Sequence, residues 1–68
     1  MKNIVSKKIK ELRLEHGLSQ MEMSEILKID QSNYSKYERG IFEPNTEMIL
    51  IIAKHFGVTT DFLFGLED

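Results

Sequence analysis

Apolar residues recur at the period of a helix along this chain, interrupted by glycines, one proline and small polar residues. From about Asn3 to His16, the residues Val5, Ile9, Leu12 and His16 fall on one side with lysines between them, and Gly17 supplies a left-handed stop. Leu18 stands before Ser19 where a hydrophobic staple would, and Ser19 with Glu22 forms a capping box. A helix therefore starts at Gln20, with Met23, Ile26 and Leu27 as its apolar face. Lys28 and Ile29 break the pattern, and Asp30 is an N-cap whose carboxylate suits the positive end of a further helix dipole. A second helix follows from Gln31 to about Arg39, closed by Gly40.

After Gly40, Ile41, Phe42 and Glu43 lead into Pro44 as an extended loop, because the residue before proline avoids the helical region. Asn45 then caps a helix in which Ile49, Ile52, Ala53 and Phe56 form the core stripe and Gly57 ends it. Thr59 caps a last short helix that runs to Gly65. The expectation is an all-α fold of five helices with short connections and no strand.

The helix from Gln31 is unusual in its polarity. Its apolar residues are only Tyr34 and Tyr37, while Gln31, Ser32, Asn33, Ser35 and Lys36 take most of the remaining surface. Glutamine and asparagine present paired donors and acceptors that match adenine edges, lysine reaches guanine or phosphate, and a helix fits the major groove of DNA.

Composition narrows the classes. The 68 residues are 41% hydrophobic and 29% charged, the balance of one small globular domain, expected to span residues 1–68. Cysteine is absent, which removes disulfides and thiolate metal sites. His16 and His55 have no neighbours at a metal-ligand spacing and suit polar positions near helix ends, so no metal and no cofactor is expected. The N-terminal MKNIVSKKIK lacks the apolar centre of a signal peptide and no run approaches a membrane span, so a cytoplasmic location is expected.

The formal net charge of −2 and pI of about 5.6 run against the usual basic footprint of a nucleic-acid binder. Local placement matters more than the sum: Lys7, Lys8, Lys10, Arg13, Lys36 and Arg39 can line one face, with Glu43, Glu47, Glu67 and Asp68 elsewhere. Each lysine of the first helix serves either a phosphate or simply a solvated face. Met48, Ile51, Phe62, Phe64 and Leu66 exceed what one core stripe needs. They are either ordinary exposed apolar atoms or an isologous dimer interface.

Nearly the whole chain, from Ile9 to Gly65, resembles the helix-turn-helix family of the phage repressor and Cro type, also called the XRE family. The resemblance rests on LeuSerGln at 18–20, SerLysTyrGluArgGly at 35–40, Pro44, and LysHisPheGlyVal followed by AspPheLeuPheGly, all in the family's order and spacing. It implies a compact five-helix lambda-repressor-like domain that regulates transcription, repressor-like, as a homodimer on a palindromic operator of double-stranded DNA. By the same resemblance Gln31, Ser32, Asn33 and Lys36 would contact bases, while Ser19, Gln20, Ser35 and Arg39 would contact phosphates. Arg13 and Glu38 match a pair that ties the first helix to the recognition helix. Three features depart from the pattern: Lys28 stands at a turn position commonly glycine, Ser24 replaces a small alanine, and residues 41–43 lack the basic side chains often found there. The competing reading is a protein-interaction module, such as an antitoxin-type chain with secondary DNA contact. An enzyme is the poorest reading, because no Ser/His/Asp order, metal motif or phosphate loop is present and no small-molecule site is evident. With no second domain foreseen to receive a signal, regulation is expected through dimerisation, abundance or a partner.

Overall fold

The computed structural model describes the backbone of residues 2–67 and the side chains of residues 4–67. Met1 and Asp68, the expected limits of the domain, lie outside the described residues. Five helices follow in order: α1, Lys2–Glu15; α2, Gln20–Leu27; α3, Gln31–Glu38; α4, Thr46–Phe56; α5, Thr60–Leu63. Among the described residues there is no strand.

The four caps foreseen from the sequence are all formed. Ser19 Oγ accepts from Glu22 N at 3.0 Å while Ser19 N donates to Glu22 Oε1 at 2.9 Å, a complete capping box. Asp30 accepts from Ser32 N at 3.2 Å, Asn45 Oδ1 from Met48 N at 2.8 Å, and Thr59 Oγ1 from Phe62 N at 3.0 Å. These bonds occupy orphan N–H groups of the first turns and fix where each helix begins. Helix α1 stops at Glu15, one residue before His16. His16 N donates to Leu12 O at 3.1 Å, and Leu18 N turns back to Arg13 O at 3.0 Å around Gly17 at φ +67. Lys28 ends α2 in the left-handed region at φ 58, ψ 42, the only positive-φ residue other than glycine among those described.

One core joins all five elements: Val5, Ile9 and Leu12 from α1, Met23 and Leu27 from α2, Tyr34 from α3, Met48, Ile49, Ile52 and Ala53 from α4, and Leu63 from α5. Fully burying an aliphatic side chain of this size stabilises by roughly 1.5–3 kcal/mol. Ser24 is also buried and donates to Met21 O at 2.7 Å, so its hydroxyl is satisfied within α2.

Met48 overturns one expectation. Placed off the core face by the stripe of Ile49, Ile52, Ala53 and Phe56, it is in fact buried at 7% exposure. Helix α4 packs against α2 as well as α5, and a helix between two neighbours buries an arc wider than one stripe. Phe62 is half-buried against the core with Lys8 Nζ 4.6 Å above its ring. Of the residues foreseen as an interface, Ile51, Phe64 and Leu66 are exposed, and Leu50 joins them.

Candidate nucleic-acid interface

Helix α3 is held from beneath. Tyr34 has no exposed surface, and its hydroxyl donates to Glu38 one turn later. That carboxylate also accepts from Arg13 Nε at 2.6 Å, from Arg13 Nη2 at 3.2 Å and from Gln20 Nε2 at 3.1 Å. Arg13 Nη1 completes the network by donating to Leu18 O at 2.9 Å, at the connection between α1 and α2. One carboxylate thus receives donors from α1, α2 and α3, and fixes the angle at which α3 leaves the body of the fold.

The pair is shielded, with 10% of the Arg13 side chain and 3% of the Glu38 side chain exposed. Burial pushes the Glu38 carboxyl upward, but the bonds from Arg13, Tyr34 and Gln20 together outweigh it and hold the group below the usual carboxylate range. The hydrogen bond to Glu38 raises the Arg13 guanidinium above its ordinary value despite burial. Burial first, and then the bond to Glu38, push the Tyr34 hydroxyl up, so it remains a donor. Arg13 is therefore spent inside the fold and is not part of the basic face on which it was placed.

With Tyr34 inward, the opposite side of α3 faces solvent. Gln31, Ser32 and Asn33 are exposed at its first turn, and Lys36, half-buried, lies one turn on from Ser32 and Asn33. Ser32 is partly committed: its hydroxyl and its N–H both donate to Asp30, and this holds the Asp30 carboxyl below its ordinary value. Lys36 stretches its ammonium over the Phe42 ring, 5.2 Å from the centroid. Ser35 is half-buried, and Arg39 is exposed at the C-terminus of α3, where its N–H donates to Ser35 O at 3.1 Å.

The phosphate positions differ more from expectation. Ser19 is exposed, yet its hydroxyl and N–H are engaged with Glu22, whose carboxylate occupies the start of α2. Gln20 is half-buried and uses one amide N–H on Glu38. A carboxylate likewise stands at the start of α3 in Asp30. Both helix starts therefore carry a negative side chain close to their exposed N-termini.

Sequence reasoning missed two features of this face. The Tyr34 to Glu38 bond has an i, i+4 spacing that could have revealed it. The stack of Lys36, Phe42 and Tyr37 had no such signal, because it depends on how the loop after Gly40 folds back. Among the described residues no group of three or more His, Cys, Asp or Glu side chains could hold a metal ion, and no helix is long and apolar enough to cross a membrane.

A family model described as helix-turn-helix matches residues 9–63. The chain is similar to the HTH-type transcriptional regulator ImmR of Bacillus subtilis (strain 168), 36% identical over 64 residues that cover 94% of this chain and 50% of ImmR. It is similar to the cryptic phage CTXphi transcriptional repressor RstR of Vibrio cholerae, 36% identical over 53 residues, covering 78% of this chain and 48% of RstR. It is also similar to the antitoxin PezA of Streptococcus pneumoniae, 39% identical over 56 residues, covering 82% of this chain and 35% of PezA. The chain spans about half the length, or less, of these relatives.

Proposed function

The chain belongs to the helix-turn-helix family, and from that premise we propose that it is a sequence-specific, double-stranded DNA-binding regulator of transcription. The observation that carries this reading is the exposure of Gln31 and Asn33 at the first turn of a helix that Tyr34 and Glu38 pin to the rest of the fold. Amide side chains at the first turn of a rigidly held helix are what base-edge readout in the major groove requires. In this reading Gln31, Asn33 and Lys36 meet bases, with Ser32 the weaker contributor because Asp30 holds its hydroxyl. Arg39, Ser35, Ser19 and the second N–H of Gln20 contact phosphate and set the register. The protein acts in the cytoplasm as a repressor-like homodimer on a palindromic operator, with recognition helices about 34 Å apart. It makes and breaks no bond and uses no cofactor.

Binding-site selection from a random duplex pool tests this directly. A symmetric motif with half-sites one helical turn apart is the expected result; recovery of unenriched sequence, with equal affinity for all duplexes, overturns it. The second reading, a partner-binding module of the kind the name of the antitoxin PezA suggests, draws on the exposed Leu50, Ile51, Phe64 and Leu66. It predicts little or no duplex binding even at low salt, where a non-specific electrostatic contact is strongest.

A further inference from the structure

The loop after α3 has no lysine or arginine at 41–43, yet it is tightly built. Lys36 O accepts from both Ile41 N at 2.9 Å and Phe42 N at 3.2 Å, and Pro44 behind them is buried. The Phe42 ring meets the half-buried Tyr37 edge to face, with centroids 5.4 Å apart and planes at 72°. The Lys36 ammonium lies over the Phe42 ring, 5.2 Å from its centroid and within the range of a cation–π contact. Lys36 is therefore gripped at both ends, by two N–H groups on its carbonyl and by a ring under its charge. Phe42 keeps 37% of its surface exposed, so core packing alone does not account for an aromatic ring at this position.

We propose that Phe42 is a positioning residue, which holds the Lys36 side chain in one direction along the outer face of α3 and thereby sets the base preference at the position Lys36 reads. This rests on the DNA-reading function proposed above. A free lysine has four rotatable side-chain bonds to order on reaching a base; one already laid along a ring has fewer left to lose. The loop thus affects recognition through Lys36, without a charge of its own on the phosphates.

The test uses sites selected by the unaltered chain and their single-base variants, with Phe42→Leu, Phe42→Tyr, Lys36→Met and the double variant Phe42→Leu with Lys36→Met. At the base where Lys36→Met abolishes preference, Phe42→Leu should lower discrimination by roughly two- to fivefold, the equivalent of one exposed cation–π contact. Phe42→Tyr should restore it, and Phe42→Leu should add nothing once Lys36→Met is present. Affinity for random duplex should stay level in Phe42→Leu and Phe42→Tyr, and should fall by the same factor in the two variants that lack the Lys36 charge. Equal loss on every sequence, a change at a different base, additivity in the double variant, or an altered oligomeric state in Phe42→Leu overturns the proposal. A DNA-free readout separates it from the function it rests on: the Lys36 ε-methylene protons should be shifted upfield by the Phe42 ring current and lose that shift in Phe42→Leu. Absence of the shift in the unaltered chain overturns the positioning role whatever the DNA result. If the shift is present and no sequence is selected, the DNA-reading function fails, and the role in base preference falls with it.

Discussion

Glu38 is the residue on which the seating of α3 most depends, since four donors from three helices converge on its carboxylate. Glu38→Gln leaves Arg13 charged in a shielded site, and should cost about 3–5 kcal/mol in urea unfolding at neutral pH. The same carboxyl gives the chain an acid limit. Its folded value lies below its ordinary 4.5, so the stability it contributes is complete above that value and is lost as the pH falls through the folded one. Unfolding followed from pH 7 to pH 3 should show this acid limb, and Glu38→Gln should flatten it; an unchanged limb would assign acid sensitivity to other carboxylates. Lys28 is the converse case, a residue whose backbone opposes its side chain. Held at φ 58, it should gain about 1 kcal/mol on Lys28→Gly, because the Cβ strain in the left-handed region then disappears. A loss of stability on that substitution would mean the lysine makes a compensating contact. At the surface, Asn33→Ala should relax base preference at one position per half-site by about 1–3 kcal/mol. Arg39→Ala should weaken all sequences alike and reduce the salt slope by about one unit.

At the scale of elements, the starts of helices were the most legible part of the chain. A cap is a local event: a side chain and an N–H two or three residues on decide it, so Ser19, Asp30, Asn45 and Thr59 could be read without knowing the fold. The glycine stops are equally local, and Gly65 has a second constraint, since a Cβ there would lie 2.7 Å from Ile4 Cγ2. What the pattern could not give is how many neighbours a helix has. Met48 was misplaced for that reason, being covered by the second packing direction of α4, and Arg13 moved from a surface cation to a buried one because its partner lies in a different helix. Helix α5 shows the same dependence in energetic form. Four residues cannot sustain a helix in water, so α5 exists through the Thr59 cap and the complete burial of Leu63. Leu63→Ala should therefore destabilise the whole chain by about 2–5 kcal/mol, with one cooperative transition by both far-UV signal and tyrosine fluorescence. Separate transitions by the two probes would show that α5 melts independently of the rest.

For the molecule as a whole, the net charge of −2 and the two carboxylates at the starts of α2 and α3 weaken the attraction of any one copy for DNA. In the proposed reading one helix with Gln31, Asn33 and Lys36 would offer few contacts, and two copies on one duplex would raise affinity because the second contact becomes intramolecular. In the proposed dimer the exposed Leu50, Ile51, Phe64 and Leu66 would supply the pairing surface. Ile51→Asp should then leave the fold intact, because the side chain is already 37% exposed, while shifting sedimentation toward the monomer. Binding to a two-half-site duplex should fall steeply, by roughly a hundredfold or more, whereas binding to an isolated half-site should hardly change. If Ile51→Asp sediments and binds like the unaltered chain, pairing must use a different surface. If the unaltered chain is already monomeric and still binds the symmetric site cooperatively, the duplex itself brings the two copies together.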